Sequence, residues 1–191
     1  MYRSMVVPFL VVGAIAVPCW LVFRQSRLRI RARPLSLRRE ILLLTIVLYL
    51  SGLAAATLTP NHPSRKVVEA SVELELRPNL ASLTCSAPSM PMGSTARSFC
   101  VRNARGNFVL FFPLGVLIPL AWKRLRFWRQ VQIAIALSVS IELFQYLSRA
   151  WVHRTADVND VILNSAGACL GVVVVALLRL RQDTRTAVPR A

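Results

Sequence analysis

The chain has 191 residues, of which 55% are hydrophobic and 17% charged, with a mean hydropathy of +0.52. Its 24 Lys and Arg face only 8 Asp and Glu, a net charge of +16, so positive charge must be gathered between apolar stretches. That pattern excludes a disordered chain, a disulfide-framed secreted miniprotein and a soluble nucleic-acid binder, whose basic residues interleave with polar ones on an exposed face.

Crossing about 30 Å of hydrocarbon takes about 20 helical residues, and five stretches approach that length. The first, 5–23, and the second, 41–58, carry no charge. The third, 107–122, is shorter and holds Pro113, Gly115 and Pro119, which predict a tilt, a kink or an extension into its flanks. The fourth covers 131–148. The fifth, 161–178, contains Gly167 and Gly171 at the small-residue spacing that lets a neighbouring helix approach closely. The fold class is therefore all-α, a polytopic membrane bundle of about five helices in contact with the lipid bilayer. It divides into a helical pair over 1–58 with a basic loop, a long loop over 59–106, a three-helix core over 107–178 and a basic tail over 179–191.

Cytoplasmic loops retain Lys and Arg, which sets the orientation. Arg24, Arg27, Arg29, Arg31, Arg33, Arg38 and Arg39 follow the first span, Lys123, Arg124, Arg126 and Arg129 follow the third, and Arg179, Arg181, Arg185 and Arg190 follow the fifth. The expected topology has the N-terminus outside and the C-terminus inside, with the 59–106 and 149–160 loops external. A cleaved signal peptide fits 1–23 poorly, because only Arg3 precedes the apolar run and the arginine cluster follows it. Trp20, Trp122, Trp128 and Trp151 fall near expected helix ends, as interfacial anchors do.

Cys85 and Cys100 lie in the expected external loop, where an oxidising compartment permits a disulfide; a bridge and two free thiols both fit the sequence. Cys19 and Cys169 fall inside helices. The segment between Cys85 and Cys100, SAPSMPMGSTARSF, reads as irregular, and partial alternation over 66–77 reads as a strand or an interfacial segment.

A charged side chain inside a span is costly by several kcal/mol, so Glu142 asks for a reason. Gln145 lies three residues on, on the same helical face. After a short loop holding His153 and Arg154, the chain re-enters through Asp157, Asp160 and Asn164 at i, i+3 and i+7, one stripe on a helix at the same outer depth. Asn107, opening the third span, completes a polar pocket whose mouth Arg105, Arg149 and Arg154 would ring. Structural roles compete with function here: Asp157 as an N-cap with Asp160 near N3, Asn164 as interhelical glue, Glu142 as a partner of Arg154, and His153 as a solvated loop residue. In favour of function, Glu142, Asp157 and Asp160 outnumber the one arginine within easy reach, and crowded carboxylates suit acid/base chemistry, cation binding or proton passage.

No Walker A loop, GxGxxG, GxSxG or HExxH occurs, and no Cys/His set suits a metal. No cofactor, metal or nucleic-acid partner is expected.

The stretches NFVLFFPLGVLIPL at 107–120, SIELFQYL at 140–147 and RTADVNDVILNSAGACLG at 154–171 together resemble the VanZ-like family of bacterial membrane proteins. The resemblance covers about 103–175. The family's opening asparagine and F-x-P-x-G fall on Asn107, Phe111, Pro113 and Gly115; its glutamate and glutamine on Glu142 and Gln145; its arginine, acidic pair and asparagine-glycine on Arg154, Asp157, Asp160, Asn164 and Gly167. This likeness implies an integral protein of the bacterial cytoplasmic membrane facing the cell envelope. For the founding member it implies low-level resistance to the glycopeptide teicoplanin. The expected function is non-enzymatic engagement of a lipid-linked envelope precursor or a lipophilic glycopeptide by the acidic pocket. An alternative is a membrane enzyme using the same carboxylates on a lipid-linked envelope component, and a small transporter is a weaker third.

Overall fold

The computed structural model describes residues 2–31, 36–58, 77–148 and 157–187, and all six elements within them are helices. These are α1 (Tyr2–Arg31), α2 (Leu37–Leu58), α3 (Leu80–Thr84), α4 (Thr95–Ala121), α5 (Phe127–Leu147) and α6 (Val158–Ala187). Five of them, all but α3, are long and apolar enough to cross a membrane, so the chain is a polytopic all-α membrane protein. It falls into two compact units, one holding α1 and α2 and the other α3 to α6.

In the first unit, α1 and α2 form a hairpin. Arg24, within α1, donates from Nε to the Glu40 carboxylate in the first turn of α2 at 2.6 Å, tying the two helices together. Thr45, Ser51 and Thr57 turn their hydroxyls back onto carbonyls one turn earlier, which lets α2 carry hydroxyl groups through an apolar span without leaving them unpaired.

The second unit is built on a close crossing of α4 and α6. A Cβ placed on Gly115 would overlap the Ala168 carbonyl, one on Gly167 the Phe108 carbonyl, and one on Gly171 the Phe112 carbonyl while lying 2.9 Å from the Gly115 backbone. The three glycines are thus where two helix backbones touch, and the chemistry of the contact is the lack of a side chain. Both helices run the same way in a nearly constant register. Asn103 meets Asp160 at a sequence separation of 57, and Arg179 meets Pro119 at 60. α5 runs back antiparallel and packs on both, burying Val131, Ala134, Ser138, Ile141, Glu142 and Gln145 along one stripe.

Both ends of the unit are finished by polar contacts. Arg179 donates from Nη2 to the Pro119 carbonyl at 2.6 Å, placing a cation where the last carbonyls of α4 lack helical partners. Gln130 donates to the Leu125 carbonyl at 2.8 Å and closes the α4–α5 turn. At the other end α3 is capped by Asn79, whose side chain accepts from the N–H groups of Ala81 and Ser82. Cys85 ends α3 in the left-handed region at φ 53° and is bridged to Cys100 in α4 (S–S 2.04 Å).

Several boundaries differ from those read in the sequence. α4 begins at Thr95, capped by the Ser94 hydroxyl, so residues 95–99 of the segment expected to be irregular are helical, and Asn107 lies well inside the helix instead of opening it. Hydropathy could not see this turn of α4 because Arg97, Arg102 and Arg105 dilute it. Similarly, α6 continues to Ala187, through most of the expected basic tail, with Arg179 inside the bundle contact. The expected strand or interfacial segment over 66–77 lies outside the described residues except for Arg77, and so do His153, Arg154, Arg149 and Trp151.

Candidate functional site

The end of the second unit where α4 and α6 begin and α5 finishes collects most of its buried polar side chains. Glu142 is 8% exposed and Gln145, Ser138, Asn159 and Asn164 are buried. On α5, Ser138, Glu142 and Gln145 follow one another at i, i+4 and i+7, a polar strip on the face that the bundle covers.

Each member is held by a specific contact. The Glu142 carboxylate accepts from the backbone N–H of Asp157 at 3.1 Å, at the entrance to α6. Asp157 is the residue before α6, and its own carboxylate accepts from the Asn159 N–H at 2.7 Å, satisfying a first-turn donor of the helix. Asp157 is therefore the N-cap and does not continue the stripe of Asp160 and Asn164; its charge is directed at the helix terminus. Asp160 accepts from the Asn103 amide of α4 at 3.4 Å. Asn164 donates to the Ser138 hydroxyl of α5 at 3.0 Å in a buried contact.

A cover lies over this end. The backbone N–H of Asn79, beside α3, donates to the Asn159 side-chain oxygen at 3.0 Å, and the Cys85–Cys100 disulfide fastens the other end of α3 to α4. α3 is thus pinned to both helices whose first turns frame the polar cluster.

Among the described residues, the Asn107 and Asn159 amide nitrogens and the Asn164 side-chain oxygen are buried without hydrogen-bond partners, as is the Ser165 hydroxyl. Given the parallel register, Asn107 lies one turn beyond Asn103 as Asn164 lies one turn beyond Asp160, so an unpaired donor on α4 and an unpaired acceptor on α6 share a level. Buried unpaired polar groups are rare and costly, and they make this level a place where a polar group would be stabilised. Hydroxyl, amide and carboxylate groups here can accept and donate hydrogen bonds. Among the described residues no three His, Cys, Asp or Glu side chains come together to hold a metal ion.

Of the residues singled out in the sequence, the structure gathers Asn107, Glu142, Gln145, Asp157, Asp160 and Asn164 at one end of three helices, with Pro113, Gly115, Gly167 and Gly171 along the α4–α6 crossing; Arg154 is outside the described residues. Sequence reasoning missed Asn79, Asn103, Ser138 and Asn159. The signal for two of them was present: Asn103 precedes Asn107, and Ser138 precedes Glu142, by one helical turn.

A multi-pass helical membrane protein with a polar cluster at one end of a three-helix unit is the class defined by this fold and site. The chain belongs to the VanZ/LLP1 family, whose model matches residues 41–179. Protein VanZ of Enterococcus faecium is 28% identical over 76 residues, which cover 40% of this chain and 45% of that protein. The chain thus spans less than half the length of that curated relative. No solved structure matches it.

Proposed function

We propose that the polar end of the α4–α6 unit binds the polar head of an amphipathic envelope molecule, a lipid-linked precursor or a lipophilic glycopeptide, and that binding contributes to teicoplanin-type resistance. The observation that carries this reading is the level at which the unpaired Asn107 donor and Asn164 acceptor lie between the two helices, with Glu142 buried nearby on α5. An apolar span stabilises an unpaired amide donor and acceptor poorly, and a ligand bearing hydroxyl, amide or phosphate groups compensates them. Teicoplanin enters through the family resemblance of 107–171, whose founding member is associated with resistance to that glycopeptide, and family membership supports that resemblance.

This end faces outward in our reading. The turn between α4 and α5 at the opposite end carries Lys123, Arg124 and Arg126, and the Cys85–Cys100 bridge at the polar end suits an oxidising compartment.

The test is drug susceptibility of a bacterial host expressing wild type, Glu142→Gln or Asp160→Asn at matched membrane abundance, with teicoplanin and vancomycin compared. Wild type raises teicoplanin tolerance selectively and both variants lose the effect. Tolerance equal to the empty vector in all three overturns the resistance role.

A further inference from the structure

On the face of α4 turned away from the polar cluster, Arg97, Ser98, Val101, Arg102 and Arg105 line an open cleft of about 550 Å³ whose opposite edge is Met92 and Gly93. Arg105 and Asn107 are two residues apart, about 200° around the helix, so cleft and polar cluster occupy opposite faces, and Arg105 does not ring the mouth of the polar pocket as expected from the sequence. The three arginines have no carboxylate partner among the described residues. The Arg102 guanidinium lies 5.7 Å from the centre of the Phe99 ring, which leaves its N–H edge available to an anion.

Helix length places this cleft at a membrane surface. α4 has 27 residues against 21 in the antiparallel α5, and 27 residues rise about 40 Å, about 10 Å more than the hydrocarbon core. The excess is at the N-terminal end, where the arginines are, because the other end of α4 turns directly into α5. Around the cleft Met92 is 82% exposed and Phe99 62%; beyond Arg105 on the same face the helix becomes apolar, with Val109 64% exposed. Positive charge at headgroup level above an exposed apolar face matches a molecule with an anionic head and hydrocarbon tails. Three like charges around one cleft repel each other until an anion enters.

We infer that this cleft is a binding site for the phosphate of an anionic phospholipid, with Arg97, Arg102 and Arg105 meeting the headgroup and the Val109 face meeting the acyl chains. Arginine suits the role because its planar fork pairs with phosphate oxygens in two-point geometry. The site is independent of the polar cluster, and neither reading needs the other.

The test uses the full chain in nanodiscs of phosphatidylcholine, of phosphatidylcholine with phosphatidylglycerol, and of phosphatidylcholine with added inorganic phosphate. Phenylglyoxal modification of each arginine is read by mass spectrometry, and retained lipid is counted after delipidation. Phosphatidylglycerol slows modification of Arg97, Arg102 and Arg105 more than that of Arg124, and inorganic phosphate does not. Replacing Arg102 and Arg105, both exposed, by Gln lowers phosphatidylglycerol retention about fivefold per arginine, while Lys123→Gln with Arg124→Gln leaves it unchanged. Equal protection of Arg124, equal protection by inorganic phosphate, or unchanged retention in the Arg102/Arg105 variant overturns the proposal.

Discussion

The Glu142 carboxylate accepts the backbone N–H of Asp157 across 3.1 Å, so the charge that stands out in the fourth span also joins the end of α5 to the start of α6. The two roles separate by substitution. Gln keeps a side-chain acceptor of the same reach and removes the negative charge; Ala removes both. Glu142→Gln is expected to reach the membrane at wild-type abundance yet fail to confer teicoplanin tolerance. Glu142→Ala is expected to lose about 1 kcal/mol of stability as well, the usual scale of an interhelical hydrogen bond in a membrane. Abundance by immunoblot beside drug susceptibility distinguishes the two, and equal abundance losses would assign Glu142 a structural role alone.

Gly115 and Gly106 lie on one helix and should respond with opposite signs. A methyl on Gly115 overlaps the Ala168 carbonyl, a backbone atom that moves only if α6 moves, whereas one on Gly106 meets nothing within 4 Å. Gly115→Ala is expected to destabilise the protein by about 1–3 kcal/mol or more through forced separation of α4 and α6. Gly106→Ala is expected to be neutral or stabilising by up to about 1 kcal/mol from helix propensity. Thermal unfolding of the two variants in one detergent reads the difference, with Gly167→Ala expected to follow Gly115→Ala.

Arg179 lies beyond the fifth apolar stretch, but its guanidinium reaches the Pro119 carbonyl of α4. Arg179→Ala is expected to lower stability by about 1 kcal/mol by removing a cation from a helix C-terminus, and Arg179→Lys is expected to recover part of it. A thermal shift equal for Ala and Lys would show that the contact depends on the geometry of the guanidinium and not on charge.

The Cys85–Cys100 bridge closes a sequence separation of 15 and fastens α3 over the polar end of the bundle. Loop-closure arithmetic for that length puts the loss in a Cys85→Ser, Cys100→Ser variant at about 3 kcal/mol. The same cysteines report sidedness. In intact cells a membrane-impermeant reductant followed by an impermeant maleimide is expected to label both, and labelling only after the membrane is permeabilised would reverse the orientation argued above.

Helix number and type were legible because hydropathy is a local sum: a continuous apolar run of about 20 residues has the length of a spanning helix, which satisfies its backbone internally, and lacks the alternation of a barrel strand. The gathering of Asn107, Glu142, Asp160 and Asn164 at one end was legible for a related reason. Spans that alternate in direction return to the same surface, so the end of α5 and the start of α6 must share it. By contrast, Asp157 fits a helical stripe and an N-cap equally well on spacing, and only its 2.7 Å contact with the Asn159 N–H distinguishes them.

Sequence by itself determined that this is a bundle of membrane-crossing helices with a buried acid and several amides at one end, since composition, periodicity and the transfer cost of charge act residue by residue. The tertiary structure alone decided which backbone each glycine touches, that α4 and α6 run parallel in register, that Ser138 pairs with Asn164, and that α3 is pinned across Asn159 and Cys100. Those facts depend on the rotation and offset of one helix against another. Close packing sets both from all the contacting side chains together, so no single stretch of the sequence contains them.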